Sequence, residues 1–377
     1  MNPTITATRL HAGDAIVTVV SNTPAVTGWS RRYFGPWWNA FEVPAESIGA
    51  GPQVNATVDA AKYAELAELV DGGLNEAEEV TYAKARTRVT SHGGGIISAV
   101  SPDEQLAYRS DSRFGRLTIA GPEEQPVALA AARLAREAIR GQLLRDGWTL
   151  LHASAVVRDG QTLLTFGSKG AGKTTTALLL ASRGWELLAN DRVFVRPEGD
   201  RLQVLPWPSA AAIGLGLLDA LDFYDLVCDR LKAGEQLHPT QHQRVTDALM
   251  DGSRTPLWEQ GGKRELKIQV FPDQFATWFG MTLATGGHAA GLLFPRIEPD
   301  AAPALADETR SLSEHDFMSG ATEDRYPDIF GLTRVNGGGN QQARTAVTDR
   351  LTALPHHSVV LGHDTTANAD FLAKLTS

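Results

Sequence analysis

The sequence predicts an α/β protein: a smaller β-rich N-terminal domain over residues 1–122, a helix over 123–147, and a C-terminal domain with a mixed sheet over 148–377. Three observations carry that expectation. Short alternating stretches broken by Gly, Pro, Asn and Asp fill the first 122 residues. The apolar run Thr162 to Phe166 leads directly into a glycine-rich stretch, Gly167 to Thr174, and from there into an apolar helix that stops at Gly184. Two apolar runs flank Asp159-Gly160, a dipeptide suited to a tight hairpin, so the strand before the glycines has an antiparallel partner immediately upstream.

In the N-terminal part the strands are AIVTVVS, NAFEV, QVNATVD, EVTYAKARTRVTS, IISAVS, QLAYRS and RLTIAG. One helix is expected among them, KYAELAELVDGG, where Tyr63, Leu66, Leu69 and Val70 share a face and paired glycines end it. The aromatic run Trp29 to Trp38 reads as core or inter-domain filling; a surface on which a base stacks is the alternative. Gly93 to Gly95 reads as a turn, because no lysine follows. From Pro126 to Gly147, apolar Leu129, Ala132, Leu134, Ile139 and Leu143 interspersed with arginines predict the connecting helix.

The stretch GSKGAGKT fills the phosphate-binding pattern G-x-x-x-x-G-K-[ST] at every fixed position, in the strand–loop–helix context the pattern needs. Gly167, Gly170 and Gly172, with Ser168, Lys169 and Ala171 between them, let backbone N–H groups turn inward around phosphate oxygens. Lys173 then reaches the β- and γ-phosphates, Thr174 offers a hydroxyl to Mg²⁺, and Thr175 continues the helix whose positive end faces the anion. The expected cofactors are ATP and Mg²⁺. Downstream, WELLAND reads as a strand ending in an acid, Asp191, placed either to orient the metal or merely to cap the turn, and RVFVRPEGDRLQVLP as a further hairpin. Lys263, Arg264 and Lys267 read either as a clamp on transferring phosphoryl charge or as a solvated basic turn. Neither the group Glu314, His315 and Asp316 nor His356, His357 and His363 has spacing that reads as a metal site.

Composition bounds the partners. Acidic residues outnumber basic ones, 44 to 35, giving net charge −9, which argues against a nucleic-acid partner. Cys228 is the only cysteine, so neither an intramolecular disulfide nor a Cys-based metal cluster is expected, and a cytoplasmic location fits. No basic-flanked apolar leader and no apolar run of about 18 residues is present, so no membrane partner is expected.

LHASAVV, then GSKGAGKTTTALLL, then GWELLANDRVFV, in this order and spacing, resemble the HPr kinase/phosphorylase-like family, whose P-loop fold is shared with the phosphoenolpyruvate carboxykinases. The resemblance implies an ATP- and Mg²⁺-dependent kinase. His152 looks like the family's strand-opening His, and Asn190-Asp191 like its Asp-Asp pair, so one acid is missing and Asn190 is left to orient the acceptor by hydrogen bonding. The family's HPr-recognition run is not found; GGKRELKIQVF is the nearest segment. The expected acceptor is therefore a hydroxyl of a small molecule, such as a sugar or nucleoside, or a peptide serine. Catalytic roles fall to Asp191, His152 and Lys173, and metal ligation to Thr174 and Asp191. The N-terminal domain is expected to shape the acceptor site or a homo-oligomer contact. The alternatives are a P-loop ATPase and a non-catalytic nucleotide-binding regulator or adaptor.

Overall fold

The structure, a computed structural model, describes residues 5–72, 77–262, 264–318, 327–333 and 338–376. The chain divides into two units, Met1–Thr149 with Met318–Ala343 and Leu150–Phe317 with Arg344–Ser377. The first unit holds strands β1 (Thr6–Ala12), β2 (Ala15–Ser21), β3 (Phe41–Val43), β4 (Gln53–Val58), β5 (Glu78–Tyr82), β6 (Ala85–Gly93), β7 (Ile96–Ser101), β8 (Leu106–Asp111) and β9 (Arg116–Gly121). They form one sheet in the order β3-β1-β2-β4-β9-β8-β7-β6-β5. The pairs β2/β4 and β4/β9 are parallel, and the other neighbours are antiparallel.

That mixed pairing corrects the expectation of a single helix before residue 122. A parallel β2/β4 pair needs a long crossover, and the aromatic run supplies it as helix α1 (Pro24–Trp38). Val26, Ser30, Phe34, Trp37 and Trp38 recur at helical spacing and are buried, and Phe34 stacks on Trp38 at 5.2 Å. The aromatics are core, and their crowding hid the period that makes them a helix. Helix α2 (Ala60–Asp71) forms as expected: Asp59 caps it by accepting from the N–H groups of Ala61 and Lys62 at 2.7 and 3.0 Å, and Leu66 and Val70 are buried. Helix α3 (Glu124–Arg145) buries Val127, Ala131, Leu134, Ile139 and Leu143 and belongs to the first unit. Met318–Ala343 also returns to that unit, where the Ser110 hydroxyl donates to Phe330 O at 3.2 Å and Phe330 packs between Tyr82 and Tyr108.

The second unit is built on strands β10 (Thr149–Leu151), β11 (Ala153–Arg158), β12 (Gln161–Phe166), β13 (Glu186–Ala189), β14 (Val193–Glu198) and β15 (Arg201–Pro206), with the long strand Gly287–Ile297. Their order is β10-β14-β15-(Gly287–Ile297)-β12-β11-β13. The Asp159-Gly160 turn sits where the dipeptide placed it: both residues have positive φ, 52° and 75°, and Arg158 pairs with Gln161 across a two-residue loop. β12 thus lies between antiparallel β11 and the parallel strand Gly287–Ile297, making this sheet mixed as well. Helix α4 (Lys173–Ala181) packs on β11, β12 and β13. A core of Leu164, Phe166, Leu292, Phe294, Val347 and Leu351 holds the sheet together. No helix among the described residues is long and apolar enough to cross a membrane.

Candidate functional site

β12 delivers the chain into the glycine loop, and α4 begins at the lysine that ends it. Ala171 N–H donates to Ser168 O at 3.1 Å, which folds the loop back on itself. Gly172 takes φ 101°, and a Cβ built there would lie 2.7 Å from Ile297 Cδ1 on the strand beyond β12. The lysine closes the loop from inside: Lys173 Nζ donates to Gly167 O at 2.6 Å and more weakly to Ser168 O at 3.4 Å. N–H groups of the first turn of α4 have no partner within the helix itself, so this end is chemically an anion receptor. Gly172→Ala is expected to cost about 1–3 kcal/mol, because it combines a positive φ with a close approach. Its unfolding midpoint in denaturant, set against that of Gly170→Ala, measures this: residue 170 is also at positive φ, 87°, but a Cβ there meets nothing.

His152 lies between β10 and β11, and its own N–H donates to Asp316 O at 2.7 Å. Asp316 is itself fixed: its buried carboxylate accepts from Arg310 Nη2 at 2.6 Å and from Ser313 N at 2.8 Å. Two residues on, the buried Ser154 hydroxyl donates to Lys173 O at 2.7 Å, tying the strand carrying the histidine to the start of α4. The third candidate arrives from β13. Asp191 Oδ1 stands 3.4 Å from His152 Nε2, and Oδ2 stands 3.0 Å from Arg192 Nη1. Burial alone would raise the Asp191 carboxyl, but the hydrogen bond from His152 and the charges of Arg192, His152 and Lys173 outweigh it and hold it well below the usual carboxylate range. A depressed folded-state value means that the stability Asp191 contributes is present above its ordinary unfolded value of about 4 and is lost only as pH falls below that.

The structure therefore gathers His152, Lys173, Thr174 and Asp191 around one loop. The Thr174 hydroxyl donates to Asn190 O at 3.4 Å, which puts it beside the Asn190-Asp191 turn. Ser168, Lys169 and Gly170 are exposed at the tip of the loop, and Thr175 is half-buried behind it. Asn190 is 5 % exposed, and its Oδ1 accepts from the Ser209 hydroxyl at 3.4 Å. Lys263 lies outside the described residues; Arg264 and Lys267 pair with Glu259 and Glu265 of their own hairpin at 3.4 and 3.5 Å. The cation that does face the carboxylate is Arg192, which the sequence reading passed over. A base directly after an acid at a strand end was the available signal, but adjacent opposite charges usually mean a solvated turn. Among the described residues no group of three or more His, Cys, Asp or Glu comes together to hold a metal.

The donor set suits Mg²⁺ bound jointly with a nucleotide. A hydroxyl and an ionised carboxylate are hard oxygen ligands of the kind Mg²⁺ takes when phosphates and water complete its shell. The glycine cradle, which a side chain at 172 would crowd, suits a phosphate.

What these features define is an α/β unit with a mixed sheet and a glycine-rich strand–loop–helix. No family model matches the chain, and no curated protein matches it. Among solved structures it is similar to the Hpr(Ser) kinase/phosphatase from Coxiella burnetii, at 14% identity and a TM-score of 0.21. The match covers 40% of this chain and 66% of that one.

Proposed function

We propose that the second unit binds ATP with Mg²⁺ and transfers the γ-phosphoryl group to a hydroxyl, on a small molecule such as a sugar or nucleoside or on a peptide serine. The observation that carries this reading is the meeting of a glycine loop, its lysine, and an ionised aspartate 3.4 Å from a histidine. Backbone amides of Gly167–Thr174 and the Lys173 ammonium hold the phosphate chain, while Thr174 and Asp191 hold the metal. Mg²⁺ supplies charge neutralisation across the phosphates when bound. Asp191 or the His152 imidazole accepts the proton of the acceptor hydroxyl; phosphoryl transfer through a loose transition state asks little of a base, so positioning dominates the rate.

A second reading has its own support. Asn190 stands where the resemblance places an acid, and its side chain, which accepts from Ser209, cannot take up a proton, which suits a nucleotide-binding regulator that transfers nothing. Release of ADP separates the two. A kinase is expected to release ADP from Mg-ATP at a rate that rises at least tenfold when its acceptor is included in a screen of sugars, nucleosides and serine peptides, with one phosphoryl group found on the acceptor per ADP. ADP release at the same rate with every acceptor class would overturn the transferase reading in favour of an ATPase, and none at all would favour the regulator.

A further inference from the structure

Both oxygens of Asp191 are engaged, Oδ1 with His152 Nε2 and Oδ2 with Arg192 Nη1. The carboxylate proposed above to hold a metal is thus already held by two nitrogen groups, one of them the guanidinium of Arg192. Arg192 is 21 % exposed, its Nε is buried without a hydrogen-bond partner, and its backbone O accepts from Trp207 N at 3.3 Å. A buried guanidinium N–H left unpaired is costly unless another acceptor arrives.

We propose that Arg192 is a nucleotide-binding residue that competes with the divalent cation for Asp191, neutralising the carboxylate when no metal is present and bonding the phosphate chain when one is. The proposal rests on the nucleotide reading and follows from charge. An ionised carboxylate beside a phosphate site repels the polyanion, and a cation has to cover it. Arg192 does so in the absence of metal. With the carboxylate held by a divalent ion, the guanidinium, whose fork matches phosphate geometry, would find its second partner in the phosphate chain. The site can accordingly hold nucleotide before metal.

Calorimetry of the full chain with ATP, in EDTA and across a Mg²⁺ titration, tests this. Arg192→Ala is expected to weaken ATP binding in EDTA by about tenfold, because it leaves the Asp191 carboxylate uncovered beside the polyanion. It should also lower the Mg²⁺ concentration giving half-maximal ATP binding by about threefold or more, because Asp191 is released. In an Asp191→Asn background the shift in Mg²⁺ requirement should vanish, as the coupling of the two side chains demands. Equal weakening with and without Mg²⁺ at an unchanged Mg²⁺ requirement would make Arg192 a fixed phosphate ligand and overturn the competition; no change in either quantity would overturn any role. Absence of ATP binding by the unsubstituted protein in both conditions would instead bring down the nucleotide reading. Should Arg192→Ala fail to fold, Arg192→Lys decides. It keeps the charge that covers Asp191 and loses the fork that bonds phosphate, so binding in EDTA and the Mg²⁺ requirement should stay within about threefold while ATP affinity at saturating Mg²⁺ falls, and an unchanged affinity there would overturn the proposal.

Discussion

Lys173→Ala is expected to weaken ATP binding by about a hundredfold and to remove turnover, with the far-ultraviolet circular dichroism of the unsubstituted chain retained. Lys173 Nζ sits within the loop it serves, bonded to Gly167 O at 2.6 Å. With nucleotide present, the same ammonium turns from carbonyl dipoles to phosphate charge, and a charge-assisted contact inside a partly buried site is worth roughly twice a neutral one. The fold does not depend on it, because α4 is anchored by buried Ala177, Leu178, Leu179 and Leu180 further along. Lys173→Met keeps the stem and deletes only the charge, so damage equal to that of the alanine variant assigns the loss to electrostatics and not to packing. Titration calorimetry with ATP, with and without Mg²⁺, gives the answer, and unchanged affinity in both variants would remove the loop from the site.

How far this site was legible in the sequence depends on the range of the forces involved. GSKGAGKT and Asp159-Gly160 carry local chemistry: the backbone conformations they require are properties of a few consecutive residues, and both features stand where their sequence placed them. The helix at Pro24–Trp38 was missed because aromatics crowded into ten residues read as composition before they read as a period, and because Gly35 and Pro36 look like punctuation. The crossover demanded by parallel β2/β4 overrode that local signal. The return of Met318–Ala343 to the first unit rests on long-range contacts such as Ser110 with Phe330, which no local pattern announces. Arg192 shows the same limit inside the site. Its neighbour in sequence identified it only as half of an ordinary charge pair, whereas His152, brought from another strand to the same carboxylate, makes the pair a cluster.

Asp191→Asn is expected to lower turnover by at least a thousandfold and to blunt its dependence on Mg²⁺, the second large effect. An amide keeps the shape of the side chain and one acceptor oxygen but loses the charge on which His152, Arg192 and Lys173 converge. On the proposed reading the metal would lose a carboxylate ligand and the acceptor hydroxyl an anionic base, so binding and chemistry would fail together. His152→Ala should behave differently. The imidazole contacts Asp191 at 3.4 Å, so its removal should lower kcat by about 10²-fold, the usual contribution of a general acid–base group, with ATP affinity largely kept. Asn190→Asp puts an acid into a position that is 5 % exposed and faces Ser209. A carboxylate there is poorly solvated, so the variant should lose stability in denaturant and gain no turnover. Steady-state rates against Mg²⁺ concentration for the three variants read all of this at once. Near-normal rates in Asp191→Asn would place the chemistry elsewhere, whereas a gain in Asn190→Asp would mean that a second carboxylate at this position can take part in the transfer.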